Sequence, residues 1–343
     1  MKIILDAMGG DNAPQAAVMG AVRAAKELNV QITMVGRGEE ILQVLRDNGI
    51  NDLPSGVTIF NADEVVDMHD DPARVIKQKK NSSLVVGLKM LADEEGDAMI
   101  SAGSTGALLS GATLIVKRVK GIRRAAMGPL MPNKAGGKTM LLDCGANTEC
   151  TPEFLLQFGL VGSLYMKKTL GMECPRVGLL NNGAEETKGT DLQKQAYVLL
   201  ADAHEKGLIN FIGNVEGRDV LLGGVDVVVC DGFSGNVLLK SIEGTAMFMG
   251  SLMKHKIFLR STLSKLGYLL CKKGVKEVLG MMDYRQVGGT QFLGIRKPVI
   301  KIHGASDELA FFSGIKQAVT AAQFNIAPEL EQYLAKIKGN TDD

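Results

Sequence analysis

The chain has 343 residues, 45% hydrophobic and 22% charged, with a formal net charge of +1. That balance supports a substantial core, argues against disorder, and gives no electrostatic footprint for nucleic acid. Five cysteines with no CxxC pair, and no zinc spacing against the four histidines, exclude a disulfide framework and fit a reducing compartment.

Strand and helix alternate from the N-terminus. The spacing predicts a strand over 2–6, a helix over 14–28, a strand over 31–35, a helix over 38–48 and a strand over 57–60. Pro14 fits a first helical turn. A helical stretch over Leu84–Leu91 leads into a strand over Ala98–Ile100, and later helices are expected over 152–170, 189–206 and 307–323. Thr151, Pro152 and Glu153 read as a cap, a proline in the first turn and an acid complementing the helix dipole. From Thr245 to about Tyr284 only helical pattern remains, with a candidate turn at Lys272–Gly274. MKIILDAMGGD holds a short strand rather than a signal peptide, and no run reaches the roughly 20 apolar residues of a spanning helix. A soluble cytoplasmic protein is expected, as a single α/β domain over 1–343 with a basic amphipathic helical protrusion at about 245–284.

Seven apolar runs stop in loops of Gly, Asn, Ser, Asp and Thr: DAMGGDNAP, SAGSTGA, DCGANTEC, NNGAEETKG, GNVEGR, DGFSGNV and HGASDE. Continuous apolar runs followed by helical spacing suit parallel strands buried on both faces, so the fold class is α/β with a mostly parallel sheet. Ligands of such sheets bind beyond the carboxyl ends of the strands, where these loops would converge. Glycine admits close backbone approach and helix-opening amides favour an anion, so a phosphorylated ligand is expected.

Candidate residues follow loop by loop. The first loop offers Asp6, Gly9 and Gly10; SAGSTGA offers Ser101, Gly103, Ser104, Thr105 and Gly106. In DGFSGNVLLK, Asp231 ends a strand, Gly232 and Gly235 free the backbone, Ser234 or Asn236 can cap the next helix, and Lys240 lies one turn from Asn236. Lys188, between a strand end and a helix start, is a point charge for phosphate or an oxyanion. Asn147 and Asn214 can orient a polar ligand without titrating, and His303 opens the last loop. PNKAGGKT at 132–139 lacks the first glycine of a phosphate loop and runs into a strand instead of a helix. AMGGDNAP is not a dinucleotide fingerprint, which disfavours nicotinamide chemistry.

One stretch is lopsided in charge. Lys254, Lys256, Arg260, Lys265, Lys272, Lys273 and Lys276 occur with no acid between 254 and 276, interleaved with Ile257, Phe258, Leu263, Leu266, Leu269 and Leu270. Such helices rest on anionic membranes, receive acidic proteins or pair in dimers; a solvated hairpin with an ordinary apolar face is the plain alternative.

In this order, LDAMGGDNAP, SAG-STGA, LDCGAN followed by PE, GNVEGRD, VVVCDGFSGNVLLK with its EG, and HGASD resemble the bacterial phosphate acyltransferase family PlsX. The resemblance spans about residues 1–325. Departures are Ser104 for the family's usual Asn, Arg124-Ala125-Ala126 for Arg-Pro-Ala, NNGAEETKG for the NIGEE form and GGTQFLG for GGAPLLG. The Ser104 change puts one polar contact in question.

The resemblance implies a doubly wound α/β/α sandwich with a protruding helical hairpin, working as a homodimer without metal or organic cofactor. The implied reaction passes a long-chain fatty acyl group from acyl carrier protein to inorganic phosphate, making acyl phosphate for phospholipid synthesis. Lys188 would supply charge and Asn236 a hydrogen bond, with amides from Ser101–Gly106 and Gly232–Gly235. Partners would be acyl carrier protein, an anionic membrane met peripherally, and a downstream membrane glycerol-3-phosphate acyltransferase. The Lys254–Lys276 helices, and Lys117, Arg118, Lys120, Arg123 and Arg124, would attract acidic partners. Rival readings are a phosphotransacetylase-type enzyme using acyl-coenzyme A, a decarboxylating dehydrogenase, and a docking scaffold without turnover.

Overall fold

The strand-end loops of this chain divide between two sheets. The structure is a computed structural model describing residues 1–67, 69–72, 74–281 and 288–339. Its strands are β1 (Lys2–Asp6), β2 (Gln31–Gly36), β3 (Val57–Asn61), β4 (Ala98–Ser101), β5 (Ala126–Met127), β6 (Leu130–Pro132), β7 (Lys138–Leu142), β8 (Arg176–Asn181), β9 (Asn210–Glu216), β10 (Val227–Val229), β11 (Thr290–Leu293) and β12 (Val299–Lys301). Its helices are α1 (Gln15–Leu28), α2 (Gly38–Asp47), α3 (Val75–Gln78), α4 (Ser83–Ala92), α5 (Thr105–Gly111), α6 (Pro152–Leu170), α7 (Asp191–Glu205), α8 (Gly232–Leu252), α9 (Thr262–Met281), α10 (Glu308–Gln323) and α11 (Ala327–Gly339).

The first sheet runs β3-β2-β1-β4-β12-β11-β5 and the second β6-β7-β10-β8-β9. Strands β3 through β12 of the first sheet are parallel, as are β7, β10, β8 and β9 of the second. The antiparallel pairings fall at the sheet margins, where β12, β11 and β5 follow one another and β6 flanks β7.

Period-two alternation assigns each strand's side chains to two cores. Ile3 and Leu5 pack with α1 and α10, while Ile4 faces α4 and the α5 layer. In the second sheet Leu142, Val227 and Val229 face α6 and α7, while Leu141 and Val228 face the opposite side. Each fully buried aliphatic side chain contributes about 1.5–3 kcal/mol, so strands covered on both faces read as unbroken apolar runs. Leu293 of the first sheet shares a core with Met140 and Leu142 of the second, joining the two halves.

The PNKAGGKT segment is a β-hairpin: Pro132 pairs with Lys138 across an antiparallel register. Thr151 and Pro152 open α6 as expected, although Thr151 engages the Glu153 carboxylate and holds it below the usual range instead of capping the helix backbone. Two expectations are corrected. Helix α8 is capped by Asp231, which accepts the Ser234 amide at 2.8 Å, not by Ser234 or Asn236. The turn of the protrusion lies at 259–261, not at Lys272–Gly274, which α9 runs straight through. Ser261 stops the chain there because its hydroxyl accepts the Ser264 amide at 3.1 Å, a side-chain cap that the lysine-rich stretch does not offer. Helix α8 continues through a wider π-type turn at Met253–Phe258 before that point. The end of the expected protrusion, 282–284, lies outside the described residues.

Candidate active site

The loops collect in two clusters, one per sheet. At the ends of β1 and β4, Ser101 Oγ donates to Asp6 at 2.7 Å and accepts the Gly103 amide at 3.0 Å. Asp6 also accepts the Met8 amide at 3.2 Å. A Cβ at Gly9 would lie 2.6 Å from Asp6 Oδ2 and 2.7 Å from the Gly103 nitrogen, so only glycine lets these two turns touch. Gly10, at φ +101°, precedes Asp11, whose amide donates to the Gly304 carbonyl at 2.8 Å and brings in the His303 loop. Ser104 caps α5, with Thr105 and Gly106 in the first turn. His303 is exposed and its Nδ1 accepts the Ala305 amide at 3.2 Å. Asp6 (1% exposed) and Ser101 (0%) lie beneath these loops, holding backbone in place.

In the second cluster Asp143, directly after β7, is the organising acid. It accepts the amides of Met127 (2.8 Å), Ala146 (3.3 Å) and Asn147 (2.7 Å), and Asn147 Nδ2 at 3.0 Å. Asn147 Nδ2 also donates to the Ala125 carbonyl at 2.8 Å, and the Gly232 amide donates to the Asn147 carbonyl at 2.7 Å. A side chain at Gly235 would collide with the Asp143 carbonyl, so α8 starts hard against this loop. Asn236 is exposed above Gly145, where a Cβ would lie 3.7 Å from Asn236 Cγ.

Lys188 is exposed on the loop after β8. Asn181 Nδ2 donates to its carbonyl at 3.1 Å, and its own amide donates to the Glu185 carbonyl at 3.1 Å. Asn214 Nδ2, from β9, donates to the same Glu185 carbonyl at 2.8 Å, while the buried Asn214 Oδ1 has no partner among the described residues. Asparagines on two strands thus shape the loop that carries the lysine. Lys240 is drawn away to Glu243 at 2.6 Å.

Three of the four amides of α8 expected to face an anion are engaged within the fold. Gly232 donates to Asn147, Ser234 to the Asp231 carboxylate and Gly235 to the Asp231 carbonyl. Exposed side chains are what the α8 start presents.

Charge is distributed by burial. Desolvation pushes the carboxyls of Asp6 and Asp143 up despite their donors. Lys301, at the end of β12, donates to the carbonyls of Ala102 and Ile302; burial pulls its ammonium down to about 8 against the upward pull of Asp6 and Asp11. Burial and the nearby Asp143 charge push the Cys150 thiol up to about 12, and burial likewise raises Cys144 and Cys230, so these cysteines stay thiols. Asp143 and Lys301 were not singled out from the sequence. The Leu-Asp pair closing a strand in both LDAMGG and LDCGAN was the available signal for Asp143.

Residues 1–328 match the model of a family described as fatty acid synthesis protein. A phosphate acyltransferase of Thermoanaerobacterium thermosaccharolyticum is 42% identical over 337 residues, covering 98% of each chain. One from Brevibacillus brevis is 45% identical over 336 residues, again covering 98% of both. Among solved structures, a phosphotransacetylase from Streptococcus pyogenes superposes with a TM-score of 0.62 at 19% identity, covering 96% of this chain and 94% of its own, which is a likeness of fold.

Proposed function

The chain belongs to the phosphate acyltransferase family, and from that premise we propose that it moves a long-chain fatty acyl group from acyl carrier protein to inorganic phosphate. The full-length resemblance to phosphate acyltransferases carries this reading. Phosphate at neutral pH is already an oxyanion. One of its oxygens bonds to the thioester carbon, the tetrahedral adduct collapses, the C–S bond breaks, and sulfur leaves as a thiolate that takes a proton from water. A thiol with a pKa of about 8.5 leaves with little acid assistance, so the demand on the protein is positioning and charge.

Lys188 supplies the charge for phosphate or the developing oxyanion, and Asn236 a hydrogen bond to the same centre. Both are exposed, Lys188 on a loop braced by Asn181 and Asn214 and Asn236 in the second turn of α8 above Gly145, which suits them to these roles. The Ser101–Gly106 turn, with Gly9, Gly10 and His303, would supply further contacts to the substrate.

The α8–α9 hairpin, with Leu263, Leu269 and Leu270 exposed beside its lysines, is assigned to an anionic membrane surface and to pairing with a second copy of the chain. There the acyl phosphate would be passed to a membrane glycerol-3-phosphate acyltransferase.

The test is release of free thiol from palmitoyl-acyl carrier protein, with and without phosphate, by wild type and Lys188→Ala. Phosphate-dependent release that falls by about 100-fold or more in the variant is expected, the cost of losing one oxyanion partner. Release that survives removes Lys188 from the centre; no release by wild type removes the carrier-bound donor.

A further inference from the structure

We propose that the basic knuckle Lys117–Arg124 is the surface on which the acidic protein bearing the acyl thioester docks; this rests on the carrier-bound donor proposed above. Lys117, Arg118, Lys120, Arg123 and Arg124 put five cations into eight residues with no acid among them. None of the five is in a salt bridge among the described residues, although Glu153 lies close enough to feel the charge of Arg123. The charge is spread along a segment rather than focused at one point, which matches an extended acidic face better than a single phosphate.

The knuckle is held in shape before any partner arrives. Val119 and Ile122 are buried, and the Val119 amide donates to the Gly294 carbonyl at 2.9 Å. The Arg296 amide donates to the Lys117 carbonyl at 3.0 Å. Gln157 on α6 clamps the tip twice: its Oε1 accepts the Arg123 amide and its Nε2 donates to the Gly121 carbonyl, both at 2.9 Å. Docking on a fixed backbone avoids the ordering cost that a mobile basic loop would incur.

It also abuts the second cluster. Ala125, directly after Arg124, accepts from Asn147 Nδ2 at 2.8 Å, and the Arg124 guanidinium lies 5.8 Å from the Phe154 ring in the first turn of α6. A carrier seated on the knuckle would present its thioester beside Asn147 rather than at a distant face.

The chemistry of the patch selects protein over lipid. A membrane-surface element pairs cations with exposed apolar side chains. Here the interleaved Val119 and Ile122 turn inward, whereas on the α8–α9 hairpin Leu263 and Leu270 are 80% and 86% exposed. The chain therefore carries two basic surfaces of different kind, and only the hairpin has the lipid-facing composition.

The experiment compares two donors at saturating phosphate: palmitoyl-acyl carrier protein and palmitoyl-pantetheine, which has the same thioester without the protein. The variant is Lys117→Glu/Arg118→Glu/Lys120→Glu/Arg123→Glu, with Lys120→Glu alone as a milder companion should the fourfold change unfold the chain. The expected result is a rise in KM for the carrier-bound donor of about ten-fold or more, nearly unchanged kcat, and wild-type KM rising with salt. Turnover of palmitoyl-pantetheine should be unchanged, which also shows that the variant is folded. Equal losses with both donors would make the knuckle structural and overturn the proposal. An unchanged carrier KM would overturn it too, and a rise on reversing Lys254, Lys256, Lys265 and Lys272 would move the dock to the hairpin. Loss of binding to vesicles containing phosphatidylglycerol, with carrier KM unchanged, would make the knuckle a lipid contact. If wild type uses palmitoyl-pantetheine but not the carrier-bound donor, the donor reading fails, and the dock fails with it.

Discussion

Lys301 stands where an ammonium is costly: 8% exposed, bonded to two carbonyls, with Asp6 and Asp11 as its nearest charges. Its ammonium is pulled down to about 8, from 10.5 for a free lysine. Between those values the unfolded chain keeps a proton that the folded chain has released. Stability therefore rises with pH across that window, by at most on the order of 3 kcal/mol. Urea denaturation of wild type and Lys301→Met at several pH values should show this upward slope in wild type only; parallel curves would sink the idea. Asp6 works in the opposite sense. Its carboxyl is raised, so its contribution to stability is lost as pH climbs from 3.8 through the folded value. At this scale the sequence was legible for exposed residues and less so for buried ones. Lys188 and Asn236 were visible as polar residues in strand-end loops. Lys301 reads as a lone cation inside the apolar run 299–302, and its burial depends on Ala102, nearly 200 positions away in the chain.

Helix α8 joins the site to the protrusion in one element of 21 residues. Its start and its middle tolerate side chains differently. At Gly235 a methyl group would strike the Asp143 carbonyl, while at Gly244 it would meet nothing within 4 Å. Gly235→Ala is expected to cost about 2–3 kcal/mol or more through overpacking and to shift Asn236, lowering turnover as well. Gly244→Ala should instead stabilise by about 0.5–1 kcal/mol, the ordinary helical gain. Urea midpoints of the two variants check this, and a neutral Gly235→Ala would mean that α8 does not rest on the 143–147 loop. The alternation of strands and helices and most helix ends were readable from periodicity, proline and caps. The turn at 259–261 was not, because Ser261 is a weak local signal beside the Lys-Lys-Gly that draws attention further on.

Across the whole molecule, the proposed carrier dock and the proposed membrane contact fall on two separate basic surfaces. The hairpin exposes Met247, Phe248, Leu263, Leu266, Leu269 and Leu270, more apolar surface than a solvated helix pair needs. Among the described residues no helix is long and apolar enough to cross a membrane; the contact proposed for the hairpin is along the lipid surface. Reversing Lys254, Lys256, Lys265 and Lys272 removes attraction of about 1 kcal/mol per lysine near an anionic bilayer. Co-sedimentation with phosphatidylglycerol vesicles should then be abolished, while thiol release from palmitoyl-pantetheine persists. Binding indifferent both to lipid charge and to the reversal would rule out this use of the hairpin.

The sequence by itself determined the alternation of elements, the buried parallel strands, the loops that carry the candidate site and, through ordered motifs, the family. These are properties of local pattern: apolar runs of strand length, helical spacing, and glycine where backbone must approach backbone. Only the tertiary structure decided that the loops serve two sheets rather than one, and that GNVEGR lies largely within β9 instead of beyond a strand end. It also decided that Asp6 and Ser101 lie under the site, that three of the first four amides of α8 are already engaged, and that Lys117–Arg124 sits beside Asn147. Each of these depends on contacts between segments far apart in the chain. Burial and neighbouring charge there change what a residue can do, and neither is written in its immediate neighbours.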